Sequence, residues 1–212
     1  MLTRLAILTD VHADVHALHD ALAQIDQLGV DQILCCGDLV DYGLFPEETL
    51  TLLRERGIVT IRGNHDRWAV QPGSDTSAWD LSPASLEYLE ALPTGWRELI
   101  DGVRVVLTHA RPGSDMHGIA SDTPARELVE LLDAAGADIL LVGHTHAPFI
   151  RRLDDGRIVA NPGALLRDPA PGVEVLTPGT FGVLDVATRE FAVRRARDGV
   201  RVVLPIAVGR VG

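Results

Sequence analysis

The chain has 212 residues, 46% hydrophobic and 23% charged, a length and balance that suit one globular domain over residues 1–212. A formal net charge of -11 argues against a broad basic groove for nucleic acid, and no apolar run approaches the roughly 18 residues of a membrane span. Met1-Leu2-Thr3-Arg4 leads straight into a strand-like segment without a leader pattern, so the expected location is cytoplasmic.

In chain order, Arg4-Leu5-Ala6-Ile7-Leu8-Thr9 reads as a buried strand that ends at Asp10-Val11-His12. If the strand end stays extended, Asp10 and His12 face the same way, because residues two apart share a face. Val15, Leu18, Leu22, Ile25 and Leu28 recur at threes and fours, and Gly29 follows, which predicts a helix over 15–28 with His16 and His19 on its surface. A strand over 32–36 comes next. It contains Cys35 and Cys36, whose side chains are expected on opposite faces as buried reduced thiols. The strand runs into Gly37-Asp38-Leu39-Val40-Asp41, and a helix is predicted from about Pro46 to Arg56, with proline in its first turn.

The run Ile58-Val59-Thr60-Ile61 leads into Arg62-Gly63-Asn64-His65-Asp66. Residues 68–80 lack a period and are expected to form a loop, with Trp68 and Trp79 as packing residues. A helix from Ser82-Pro83 to Leu92 precedes two strands, 96–100 and 103–108, joined at Asp101-Gly102, the second ending at His109. A helix from Thr123-Pro124 to about Ala135 and a strand over 138–142 follow, and that strand ends in Gly143-His144-Thr145-His146. Segments around 148–153, 157–160, 180–187 and 190–197 look antiparallel, 163–179 reads as loop, and 198–212 has room for one more strand. Strand, helix, strand units followed by hairpins indicate an α/β architecture.

Asp10, His12, Asp38, Asn64, His109, His144 and His146 all fall at predicted strand ends or in the loops that follow. Carboxylate, amide oxygen and imidazole without cysteine suit Mn, Fe, Co, Ni or Zn rather than a thiolate structural site. Seven donors are enough for two ions, with Asp38 as the shared carboxylate. A pair of ions about 3.5–4 Å apart clamps a phosphoryl group and activates water for in-line attack. Phosphate-ester hydrolysis is therefore the expected chemistry. His65 follows a proposed ligand, so its side chain should diverge toward substrate as a general acid, with Asp41 orienting its imidazolium.

These motifs, Asp-x-His, Gly-Asp-x-x-Asp, Gly-Asn-His-Asp, His and Gly-His-x-His, occur in order, so that residues 5–163 resemble the calcineurin-like metallophosphoesterase superfamily. Asn161-Pro162-Gly163 is similar to a segment of its small bacterial and archaeal phosphodiesterase-type branch. The resemblance implies a four-layer αββα sandwich of two mixed sheets flanked by helices. It implies two divalent transition-metal ions, with manganese ahead of nickel, iron, cobalt or zinc. It also implies the ligand sharing: Asp10, His12, Asp38 and His146 on one ion, Asp38, Asn64, His109 and His144 on the other. The implied activity is hydrolysis of small or nucleotide-like phosphodiesters.

Two departures bear on substrate. Tyr42 stands where phosphoprotein phosphatases carry a phosphate-binding arginine, which demotes protein phosphatase and diadenosine tetraphosphatase activities. Ala13-Asp14 stands where this branch usually has Gly-Asn. Arg111 and His117, in the loop after His109, are candidate substrate-binding residues. The alternatives are a phosphomonoesterase with the same site and a non-catalytic scaffold, which the presence of His65 disfavours. Apolar strands near the carboxyl end are either core or a face for homo-oligomerisation.

Overall fold

The computed structural model describes residues 3–71, 81–168, 171, 179–204 and 207–209. Strand β1 (Arg4–Leu8) is followed by α1 (Val15–Ile25), β2 (Gln32–Cys35), α2 (Pro46–Glu55), β3 (Val59–Thr60), α3 (Asn64–Val70) and α4 (Pro83–Ala91). Next come β4 (Gly95–Ile100), β5 (Val103–Thr108), α5 (Ala125–Ala135) and β6 (Ile139–Leu141). The chain ends with β7 (Phe149–Leu153), β8 (Ile158–Asn161), β9 (Thr180–Asp185), β10 (Glu190–Arg195) and β11 (Ala207–Gly209). One sheet has the order β10-β9-β1-β2-β3 and the other β11-β7-β8-β6-β5-β4. Both are mixed: β1, β2 and β3 run parallel, as do β5, β6 and β8, with antiparallel partners outside them.

The layering follows from the period of two along each strand. Leu5 and Ile7 of β1 join Leu34 and Cys36 in an apolar layer with Val105, Leu107, Ile139 and Leu141 of the second sheet. The alternate residues Ala6, Leu8 and Cys35 pack instead against Leu18, Leu22 and Ile25 of α1 and Leu50 and Leu53 of α2. A third layer joins Leu128 and Leu132 of α5 to Val106, Leu140 and Val159 on the outer face of the second sheet. Helices, sheet, sheet and helix make four layers. Each fully buried Leu or Ile contributes about 1.5–3 kcal/mol of transfer free energy to this arrangement. Cys35 and Cys36 lie on opposite faces, both buried and free.

Several expectations shift. Helix α1 stops at Ile25, not at Leu28, and Gly29 turns the chain at φ 61° four residues later. The loop expected over 68–80 does not begin at residue 68, because Asn64–Val70 is helical, with Asp66 accepting from the Gly63 amide at 2.9 Å to cap it; residues 72–80 lie outside the described residues. Trp79 and, within the expected 163–179 loop, residues 169–170 and 172–178 lie outside the described residues. The hairpin β9–β10 is antiparallel, as expected, and belongs to the first sheet, where β9 pairs with β1. Among the described residues no helix is long and apolar enough to cross a membrane.

Candidate metal centre

The parallel strands of both sheets end at the same edge of the sandwich, and each delivers a loop there, the usual location of sites in open α/β sheets. Loop 9–14 follows β1, 36–42 follows β2, 61–63 and the first turn of α3 follow β3, His109 follows β5, and 143–146 follows β6. Asp10, His12 and His146 form one group whose ligand atoms lie within 4.8 Å of one another, and Asp38, His109 and His144 form another. His12, Asp38 and His65 make a third that joins them. Asp38 Oδ2 stands 3.2 Å from His109 Nε2 and 3.8 Å from His12 Nε2, between the two groups. Asn64 Oδ1 lies 3.0 Å from His109 Nε2 and 2.9 Å from His144 Nδ1.

The strand ends are not extended. Asp10, His12, Asp38, His144 and His146 all have φ between 49° and 66°, in the left-handed region. Non-glycine residues held there cost roughly 1–3 kcal/mol each. Asp10 and His12 therefore converge because the chain turns tightly after β1, and not because residues two apart share a strand face. Backbone bonds hold the turns: the Asp10 amide donates to Gly37 O at 2.9 Å, that of His12 to Asp38 O at 3.0 Å and that of Gly143 to His109 O at 2.9 Å.

Two glycines permit this crowding. A Cβ on Gly63 would meet Asp38 Oδ1 at 2.1 Å, and one on Gly143 would meet Thr9 Oγ1 at 1.9 Å. Neither site can relax cheaply, since the obstructing groups belong to the cluster.

The donors are pre-oriented. His12 Nδ1 donates to Val40 O at 3.1 Å and His109 Nδ1 to Cys36 O at 2.8 Å, which leaves each Nε2 facing inward. Such bonds fix tautomer and ring orientation in metal-ligating histidines. The Nε2 atoms of His12 and His146 face each other at 3.1 Å. A cation between such convergent donors satisfies lone pairs that protons alone satisfy poorly. The set of carboxylates, imidazoles and one amide oxygen fits divalent transition metals.

The metal-free electrostatics show the same demand for positive charge. Burial opposes ionisation of Asp38, yet His109, His12 and His65 hold its carboxyl below the usual carboxylate range. Burial likewise works against charge on His109, but Asp38 and Asp10 push its imidazole up to about 10. At His12 burial wins over both aspartates, and the ring falls to about 4.

His65 is the second residue of α3, directly after Asn64, and its side chain diverges from that of Asn64. Its Nδ1 lies 2.7 Å from Asp41 Oδ2 and its Nε2 4.0 Å from Asp38 Oδ2. Tyr42 and Trp68 meet the imidazole edge-on, with centroids 4.8 and 4.7 Å away. Trp68 thus walls the site and does not only pack the core. Arg111 donates to Gly118 O at 3.1 Å and pairs with Glu127, while His117 Nδ1 lies 3.1 Å from Ser114 Oγ.

Other residues carry the site without having been singled out by the sequence. Asp66, fully buried, accepts from the amides of Asp38, Leu39 and Gly63 at 2.8–2.9 Å, tying the second loop to the third. Burial and the Asp38 charge raise its carboxyl to about 6 against those donors. Asn161 Nδ2 donates to Gly143 O at 2.8 Å and bridges to Thr145, bracing the 143–146 loop. Asp14 accepts from the amides of Ala17, Arg167 and Asp168, so it caps α1 and anchors the 165–168 segment. The presence of Asp66 within Gly-Asn-His-Asp and of Asn161 within Asn-Pro-Gly was the available signal.

Residues 3–189 match the calcineurin-like phosphoesterase superfamily domain. An uncharacterized protein of Methanocaldococcus jannaschii is 27% identical over 190 residues, covering 84% of this chain and 76% of its own. A metallophosphoesterase from Sphaerobacter thermophilus superposes with a TM-score of 0.71 at 25% identity, over 96% of this chain and 89% of that one. An archaeal protein described as a novel phosphodiesterase shares the fold, with a TM-score of 0.58 at 17% identity over 94% of this chain and 100% of that one.

Proposed function

The chain belongs to the calcineurin-like phosphoesterase superfamily, and from that premise we propose that it is a single-domain, dinuclear-metal phosphodiesterase acting on small or nucleotide-like phosphodiesters. The observation that carries this reading is the position of Asp38 between the Asp10–His12–His146 group and the His109–His144 pair, with His65 Nε2 4.0 Å from the same Oδ2 that faces His109 and His12. Asp10, His12, Asp38 and His146 would hold one ion, and Asp38, Asn64, His109 and His144 the other. When bound, two divalent transition-metal ions, manganese first among them, supply Lewis-acid polarisation of the phosphoryl oxygens and a water of lowered pKa.

The chain's own contribution is proton control and orientation. Asp41 accepts the Nδ1 proton of His65, which directs Nε2 toward the space beside Asp38. In the imidazolium form Nε2 carries the proton that a departing alkoxide needs, and transfer leaves the neutral Nδ1–H tautomer already bonded to Asp41. The enclosing rings of Tyr42 and Trp68 limit the orientations open to the imidazole. Tyr42 brings no cation to this flank, unlike the arginine of the phosphoprotein phosphatases.

The test is turnover of bis-p-nitrophenyl phosphate and p-nitrophenyl phosphate by metal-stripped protein resupplied with Mn, Ni, Co, Zn or Mg in turn. Metal-dependent preference for the diester is the expected result. Preference for the monoester would make the chain a phosphomonoesterase, and no turnover by protein that binds metal would point to the scaffold alternative.

A further inference from the structure

A cavity of about 390 Å³ adjoins His109 and is lined by Arg62, Arg67, Arg111 and Asp115 among its walls. Two of the three arginines are held by carboxylates. Arg67 makes a bidentate pair with Asp115, Nε to Oδ2 at 2.5 Å and Nη2 to Oδ1 at 3.2 Å, and Arg111 pairs with Glu127. Among the described residues no carboxylate pairs with Arg62; its guanidinium makes one long bond, 3.4 Å, to Glu90 O. Its backbone is firmly placed, with the amide donating to Pro93 O at 2.7 Å immediately before Gly63. Three guanidiniums against two carboxylates leave one positive charge in excess, on a chain whose formal net charge is -11.

We infer that this cavity receives a second phosphate group of the substrate, separate from the phosphoryl group cleaved at the Asp38 cluster, with Arg62 as its main donor. The inference rests on the phosphoesterase reading above and narrows it to substrates with two phosphate groups. The planar guanidinium fork matches two phosphate oxygens, and Arg62, with no carboxylate partner among the described residues, gives up only its long bond to Glu90 O when it turns to a phosphate. Asp115 does not repel the anion strongly, because Arg67 neutralises it. His109, which is common to the cavity and to the Asp38–His109–His144 group, sets the distance between the two subsites.

Two chromogenic diesters test this: thymidine 5′-(p-nitrophenyl phosphate) and the same compound bearing a 3′-phosphate. The scissile bond and leaving group are identical, so any difference reports the second phosphate. In manganese-loaded protein the 3′-phosphorylated compound is expected to show a KM lower by about tenfold or more, the size of one charge-assisted hydrogen bond. In Arg62→Ala, and in Arg62→Gln as a gentler change, the KM ratio should fall to about one. Equal KM values in the unmodified protein, or an advantage that survives both substitutions, would overturn the inference. If neither compound is cleaved, the function proposed above fails while the cavity is still decided by calorimetry. Thymidine 3′,5′-bisphosphate should then bind more tightly than thymidine 5′-phosphate, and Arg62→Ala should abolish the difference. Equal binding of the two would refute the cavity's role.

Discussion

Asp41 Oδ2 stands 2.7 Å from His65 Nδ1, and the far side of the same imidazole, Nε2, stands 4.0 Å from Asp38 Oδ2. One carboxylate thus sets the direction in which the other nitrogen points. Burial acts against the Asp41 charge, but the bond to His65 and the Tyr42 amide hold its carboxyl below the usual range, so it is ionised at neutral pH. His65→Ala is expected to lower kcat by about 10²–10⁴-fold with bound metal unchanged. Asp41→Asn, which keeps the shape but not the charge, should cost about 10–100-fold. Metal analysis beside steady-state kinetics checks both, and full activity in His65→Ala would remove the acid role.

The shared position of Asp38 makes a prediction about stoichiometry. Unmodified protein should bind about two divalent ions per chain. His146→Ala removes a donor from the Asp10–His12–His146 group only and should retain the second ion, whereas Asp38→Asn weakens both groups and should lose both together. Elemental analysis after gel filtration distinguishes the cases, and a Asp38→Asn variant that keeps both ions would show that Asp38 does not bridge.

Metal uptake should release protons. In the metal-free protein His109 is raised to about 10 from an ordinary value of 6.5, and His146 is also raised, so at pH 8 His109 is protonated. Ligation needs neutral imidazole. Apparent affinity should therefore climb as pH rises toward about 10, while His12, lowered to about 4, releases nothing. The same shift stabilises the metal-free fold fully below pH 6.5, an advantage lost as pH rises through about 10. Calorimetry at pH 8 in two buffers of different protonation enthalpy reads the proton count, and a binding heat independent of buffer would contradict it.

Gly143→Ala should damage fold and site together. Its Cβ would fall 1.9 Å from Thr9 Oγ1 and 2.7 Å from Asp10 Oδ2. Displacing these costs about 1–3 kcal/mol by overpacking, so thermal unfolding should move to lower temperature and metal affinity should drop. At Gly136, where no atom lies within 4 Å of a built Cβ, alanine strains only the backbone at φ 63° and should leave metal binding intact.

Asp66 offers a test of the loop bracing. It is buried and accepts from three backbone amides. Asp66→Ala leaves those donors unpaired, at about 1–3 kcal/mol for each buried orphan. Denaturant unfolding should show the loss, with weaker metal binding because the Asp38 and Asn64 loops are no longer joined. Unchanged stability would mean that water replaces the carboxylate.

The alternation in Arg4-Leu5-Ala6-Ile7-Leu8, the three-and-four spacing of Val15 to Ile25 and the Asp101-Gly102 turn were legible because local periodicity selects strand, helix and hairpin. The donors Asp10, His12, Asp38, Asn64, His109, His144 and His146 were legible as a set because each follows a recognisable strand. Their convergence was decided elsewhere. It depends on left-handed backbone at Asp10, His12, Asp38, His144 and His146, which Asp and His tolerate better than most residues but which the crossing loops impose. The return of β9 and β10 to β1, the three amides gathered by Asp66 and the arginine-lined cavity beside His109 join residues far apart in the chain. Sequence alone determined most of the elements and which side chains are candidate donors, since these depend on neighbours a few residues away. Tertiary structure alone decided their orientation and the shape of the space around them, since these depend on packing between two sheets.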